Sequence, residues 1–265
     1  MTPERIAEYL AFAHTLADAA AQETLSRFRS TLNIDNKGAG EFDPVTQADR
    51  AAEDIVRQRI KAAYPGHGLL GEERGFEAGS DPMTWVIDPI DGTRAYVCGI
   101  PLWTTLIALN DGTQPIVGVI DQPYLGERYH ASPAGAFMRA RGDTRPLATR
   151  ANVALDDAIF ATTSPGLFQS AREKTIHDAL VASVKLARYG CDAYAYAQLA
   201  AGAIDLVVEP GLQAWDIQAL LPIIEAAGGA VATFDGGDPQ KGGDIVAAAN
   251  PALLKACLAL IASTR

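Results

Sequence analysis

Apolar side chains recur at helical spacing from the start of the chain. Ile6, Leu10, Ala13, Ala17 and Ala20 fall on or near one face, which predicts a helix over residues 3–29. The glycines and proline of NIDNKGAGEFDPVTQADR break that period. It resumes near Thr46 and continues through ADRAAEDIVRQRIKAA until Pro65-Gly66 stops it. GLLGEERG reads as a short strand ending in two glutamates, and TWVIDPIDGT as a strand entering a turn. From residue 102 to 147 the texture is that of strands: LWTTLIALN, PIVGVI, RYHAS and GAFMRA. Turn signals such as Asp111-Gly112 separate them and predict antiparallel neighbours. Beyond residue 150, strands at AIFATTS, KLARYG, IDLVVE and GAVATF alternate with helices near 169–182, 192–202, 214–227 and 251–263. Such alternation predicts α/β layering. The pattern divides the chain into an α+β lobe, residues 1–147, and an α/β lobe, residues 148–265, with a cleft between them.

Composition narrows the function classes. With 265 residues, 48% of them hydrophobic, the chain can bury a substantial core. A net charge of -10 argues against general binding to nucleic acid or an acidic membrane. It leaves room for a phosphorylated small molecule if a cation mediates the contact. Cys98, Cys191 and Cys257 are odd in number and scattered, the pattern of reduced thiols in a cytoplasmic protein. His14, His67, His130 and His177 show no zinc spacing. The N-terminus carries charges early, unlike a signal peptide, and no apolar run is long enough to span a membrane.

The acids carry the chemistry. In WVIDPIDGT, Asp88 and Asp91 stand three apart directly after an apolar run. Unpaired, they would repel each other and lose hydration. DPVTQAD (43–49), GEE (71–73) and WD (215–216) also place acids at the edges of elements, where they can converge on a cleft. Hard oxygen donors without nearby His or Cys suit Mg²⁺ better than zinc or copper. Pro89 bends the chain, so Asp88 and Asp91 need not face opposite ways. Gly92 and Thr93 then open a turn whose N–H groups face an anion. Each element also has a bland reading. Thr46 with Asp49 forms a capping-box pattern, Glu72-Glu73 a solvated pair, Asp216 a helix cap, and D-x-x-D-G-T a turn.

GEE, WVIDPIDGT, WD and the later EAAGG (225–229) resemble the inositol monophosphatase-like family of Mg²⁺-dependent phosphatases over nearly the full chain. The resemblance implies a layered αβαβα sandwich, a homodimer, and two or three Mg²⁺ per site. By position it implies Glu72, Asp88, the Ile90 carbonyl, Asp91 and Asp216 as metal ligands, with Asp49 near a third, weaker metal. It implies Thr93 and Asp49 as the pair that polarises the attacking water, Gly92 and Thr93 as phosphate contacts, and Lys37 near the site. The implied reaction is direct hydrolysis of a phosphate monoester, with no phosphoenzyme.

Within the family, DGTRAYVCGIPLWTTLIAL (91–109), RYGCDAYAY (188–196) and DLVVEPGL (205–212) look most like histidinol-phosphate phosphatases. Asp192 and Glu209 would give acidic partners to the substrate's ammonium or imidazole, with Arg188 and Gly190 alongside. Asp192 could otherwise be a helix N-cap, and Glu209 could pair with a surface base. The chain departs from that subfamily in reading Gly190-Cys191-Asp192-Ala193 where G-G-D-C is frequent. Gln213 and Trp215 stand where lysine and tyrosine are expected. Inositol monophosphate, fructose bisphosphate and 3'-phosphoadenosine phosphate are the competing substrates. A haloacid-dehalogenase site is disfavoured because D-x-x-D is one residue longer than D-x-D. A non-catalytic partnership with the transcription machinery lacks any basic or repetitive segment to support it. Apolar strands near 102–109 and 153–163 are candidate contact surfaces between subunits.

Overall fold

Alternation along the strands decides the layering. The computed structural model describes residues 1–30, 34–36 and 44–264, with 34–36, 44 and 45 described by backbone alone. Helices α1 (Pro3–Arg27) and α2 (Gln47–Ala63), with the ribbon β1 (Ile34–Asn36) and β2 (Pro44–Thr46) between them in sequence, precede the strands of a large sheet. Those strands are β3 (Gly68–Gly71), β4 (Gly75–Glu77), β5 (Thr84–Asp91), β6 (Thr104–Asn110), β7 (Pro115–Gln122), β8 (Glu127–Ser132), β9 (Gly135–Ala140) and β10 (Asp143–Pro146). The short helix α3 (Thr93–Val97) leaves the end of β5. The order across the sheet is β10-β9-β8-β7-β6-β5-β3-β4, and every pair except β3–β5 is antiparallel.

The second half contributes β11 (Ile159–Thr162), α4 (Ala171–Ser183), β12 (Leu186–Tyr189), α5 (Ala193–Ala200), β13 (Leu206–Gln213), α6 (Ala214–Ile217), α7 (Leu220–Ala226), β14 (Ala230–Thr233), β15 (Gly242–Ala248) and α8 (Pro251–Ser263). Its sheet runs β12-β11-β13-β15-β14.

Both sheets are covered on both faces. Trp85, Ile87, Ile107 and Val119 of the large sheet pack against Tyr9, Leu16, Val56 and Ile60 of α1 and α2. Val86, Leu106 and Ile120, on the opposite face, join Tyr196 and Leu199 of α5 and Leu220 and Ile224 of α7. The same cluster continues into Ala161, Val207 and Ile245 of the second sheet. That sheet's outer face, with Phe160, Leu206 and Val246, meets Ile176 of α4 and Leu253 and Ile261 of α8. The layers are therefore α, β, α, β, α, as the resemblance implies. Strands buried on both faces explain why the apolar runs are near-continuous.

The structure departs from the sequence reading at several elements. The helix expected over 214–227 is two, α6 and α7. β15 is interior to its sheet but has no counterpart in the sequence reading; its segment opens on two glycines and is then rich in alanine. β10 is exposed along its length and has no apolar alternation to announce it. Of the candidate subunit contacts near 102–109 and 153–163, the strands β6 and β11 are interior to their sheets and largely buried, while Ala154, Asp156 and Asp157 are exposed. Among the described residues, no helix is long and apolar enough to cross a membrane.

Two histidines are half-buried where α1 crosses β8. The rings of His14 and His130 meet edge to face with centroids 4.7 Å apart, and neither Nδ1 has a hydrogen-bond partner. Burial lowers both pKa values to about 4, and the neighbouring Arg128 and Arg139 act in the same sense. A histidine depressed on folding binds fewer protons in the native than in the unfolded state. Its contribution is whole above its unfolded value of about 6.5 and is lost as pH falls from there toward 4. Thermal melts should therefore show His14→Phe losing less stability than the wild type between about pH 7 and about pH 5. Equal losses would show that the pair does not govern this window.

Candidate active site

The acids reach one place because of register. Asp88 pairs with Leu106 of β6, whose side chain faces the middle helical layer, so Asp88 faces it too. Three residues further along, Asp91 should face the opposite way. A bulge intervenes: Asp88 to Asp91 on β5 spans only Leu106 to Thr104 on β6. The extra residue restores the parity, and Asp91 joins Asp88 on the inner face. Pro89 lies within the bulge, where its missing N–H costs no ladder bond. Its carbonyl accepts from Thr105 Oγ1 at 2.8 Å, while the Ile90 N–H donates to Asp88 Oδ1 at 3.0 Å. A matching bulge between Glu209 and Leu212 interrupts β13. Glu209 pairs with Ile245 on that sheet's inner face, so the two sheets aim acids into the same layer.

A cavity of about 280 Å³ opens there. Glu72, Asp88, Ile90, Asp91, Gly92, Thr93, Asp192, Glu209 and Asp216 all line it, with Arg94, Thr163 and Tyr196. Carboxylate oxygens of Asp88, Asp91 and Asp216 lie within 4.8 Å of one another. Burial raises the pKa of Asp88, reinforced by Glu72, Asp91 and Asp216. Burial also raises that of Asp91, with Asp192 and Asp216 adding to it. Three like charges so close, one buried and two half-buried, need a counter-charge, and an all-oxygen donor set fits a hard divalent cation.

Backbone donors fix the acids. Asp91 Oδ1 accepts the Ala193 N–H at the start of α5, 2.7 Å away, which ties the two halves of the chain together. Asp216 Oδ2 accepts the Gln213 N–H at 2.7 Å, so its capping role and its place in the cavity wall coexist. Asp49 behaves likewise. Its Oδ2 accepts both the N–H and the hydroxyl of Thr46, while its Oδ1 is buried without a hydrogen-bond partner among the described residues. Burial raises its pKa to about 6. Asp49 does not itself line the cavity. Thr93 Oγ1 donates to the Ile90 carbonyl oxygen at 3.1 Å. Gly92 has φ +84°, and a Cβ there would press on the Asp192 carboxyl carbon at 3.2 Å, so glycine is required twice over.

Asp192 stands at the N-cap position of α5 but makes no side-chain cap bond, and its φ of +46° is unusual for a residue with a side chain. Its carboxylate is therefore directed at the cavity instead of the helix. Its pKa rises to about 6 through burial and the nearby Glu209. Among the described residues, Glu209 pairs with no surface base. It is buried, accepting the Thr163 N–H at 2.6 Å and the Tyr196 hydroxyl at 3.0 Å. Arg188 and Gly190 are not brought into the cavity wall. Both are exposed, Arg188 on edge strand β12 and Gly190 at the turn that follows it with φ +89°. Lys37 lies outside the described residues. Thr163 and Tyr196 were missed. Tyr196 closes the RYGCDAYAY motif, so a signal was present, but Thr163 has none, because only the parallel pairing of β11 and β13 brings it to Glu209.

The chain is 40% identical to the histidinol-phosphatase of Streptomyces coelicolor, over 88% of each protein. It is also 40% identical to the bifunctional phosphatase IMPL2, chloroplastic, of Arabidopsis thaliana over 86% of this chain, and spans 65% of that relative's length. A solved inositol monophosphatase from Zymomonas mobilis superposes with a TM-score of 0.85 at 35% identity, over 99% of this chain and 100% of that one. The protein is a phosphoric monoester hydrolase. With the family's sequence model matching residues 5–264 and the acids gathered at one cavity between two sheets, the chain belongs to the inositol monophosphatase family.

Proposed function

We propose that this chain hydrolyses L-histidinol phosphate to L-histidinol and phosphate. Glu72, Asp88, the Ile90 carbonyl, Asp91 and Asp216 would hold Mg²⁺, with Asp49 near a third ion. When bound, the cation would offset the acids' charge, polarise the phosphoryl group and lower the pKa of water. The chain's own groups have separable tasks. Gly92 and Thr93 present backbone N–H groups to the phosphate. Thr93, held by the Ile90 carbonyl, orients the attacking water, and Asp49 takes up its proton. A carboxylate with a pKa near 6 and one unpartnered oxygen is suited to that exchange near neutral pH.

One observation supports the substrate assignment: a second acidic pair, Asp192 and Glu209, on the wall of the same cavity. Neither caps a helix with its side chain: Glu209 is held by Thr163 and Tyr196, and Asp192 has Thr163 and the exposed Arg94 beside it. The carboxylate of Asp192 can receive an ammonium or imidazolium, which histidinol phosphate carries and inositol phosphate lacks. The test is kcat/KM of the wild type on L-histidinol phosphate and on inositol 1-phosphate, with fructose bisphosphate and 3'-phosphoadenosine phosphate alongside. Histidinol phosphate should lead by at least about tenfold. Parity, or a lead for any of the others, would remove the assignment and leave a phosphatase of another substrate.

A further inference from the structure

Glu53 is fully buried on α2, one turn beyond Asp49. Its carboxylate is spent on the loop between β3 and β4. Oε2 accepts the N–H of Glu73 at 2.7 Å, and Oε1 accepts the N–H of Arg74 at 3.1 Å. Oε1 also accepts Arg57 Nε at 2.6 Å, and the same guanidinium donates to the Gly75 carbonyl oxygen. The loop is thus gripped by its amides and by its carbonyl. A Cβ on Gly71 would collide with the Glu53 carboxylate, so the glycine of G-E-E leaves the acid room under the backbone. Asp49, Glu53 and Arg57 are spaced at i, i+4 and i+8, on one face of one helix. That face therefore holds Asp49 and the Glu72 loop at a set distance from each other. An apolar side chain of similar volume could fill the space but would orphan two backbone N–H groups.

We propose that Glu53, braced by Arg57, is a positioning residue for the metal site: it holds the 72–74 backbone so that Glu72 presents its carboxylate to the cavity shared with Asp88. The inference rests on the reading of Glu72 as a Mg²⁺ ligand. In Glu53→Gln the amide NH₂ would have to face a backbone N–H, and one anchor is lost. Calorimetric titration of the full chain with Mg²⁺ should show binding weakened about tenfold, as for other supports of metal ligands. The Mg²⁺ needed for half-maximal turnover should rise in step, while KM for the phosphate ester at saturating Mg²⁺ stays near its wild-type value. Gly71→Ala should reproduce the effect by displacing the carboxylate without removing it. Asp54→Asn loses only the exposed ion pair to the Arg74 side chain and should bind Mg²⁺ like the wild type. If Glu53→Gln and Gly71→Ala bind Mg²⁺ normally and merely melt at lower temperature, Glu53 supports the fold alone and the inference falls. A wild type that takes up no Mg²⁺ overturns the metal reading and this inference together.

Discussion

Asp91→Asn should lose at least about a thousandfold in turnover at saturating Mg²⁺, several kcal/mol of transition-state stabilisation. The same variant should melt higher than the wild type in chelator. Both expectations come from one arrangement. Asp91 shares a cluster within 4.8 Å with the buried Asp88 and the half-buried Asp216, and burial and the neighbouring acids all raise its pKa. Without a cation, ionised carboxylates there destabilise the fold, and removing one relieves the strain. Asparagine can still accept the Ala193 N–H, so the link between the halves survives. Mg²⁺ should then stabilise the wild type far more than the variant, because a ligand that binds only the native state raises its melting temperature. Steady-state rates and melts with and without Mg²⁺ provide the measurement. Retained turnover, or an apo variant that melts well below the apo wild type, would show that Asp91 is a structural acid.

The positions of these acids were legible in the sequence; the reason they meet was only half so. D-P-I-D-G-T advertised a turn and two carboxylates, and Pro89 suggested a bend. The device is a bulge against β6, and register between strands is not written in either strand alone. The layer order was legible because strands buried on both faces leave near-continuous apolar runs and the helices keep their period. β15 was not, since its segment opens on two glycines and an aspartate and then turns to alanine, and its place between β13 and β14 is set by pairing with strands elsewhere in the chain. Glu53 also escaped notice. A charged residue in an amphipathic helix reads as a solvated face until the loop above it is known to offer two amides.

Asp192→Ala should separate substrates that the metal site treats alike. It should lower kcat/KM for L-histidinol phosphate about ten- to hundredfold, the worth of one hydrogen bond to a charged group, about 1.5–3 kcal/mol. For inositol 1-phosphate, which brings no cation to that wall, the change should stay within about threefold. The carboxylate leaves α5 uncapped, and its place against Gly92 sets it beside the phosphate-facing turn, with the Thr163 side chain as a hydrogen-bond partner. Glu209 is less free, with both oxygens already accepting from Thr163 and Tyr196, so its charge acts at longer range. Substitution of Glu209 would unfasten β11 from α5 and penalise every substrate, which makes Asp192 the cleaner probe. Alanine inherits the positive φ that aspartate tolerates better, so a melt of the variant accompanies the kinetics and should show the fold intact at a modestly lower melting temperature. Should both substrates suffer equally, Asp192 shapes the phosphate turn through Gly92, and recognition of the cation must lie elsewhere on the cavity wall.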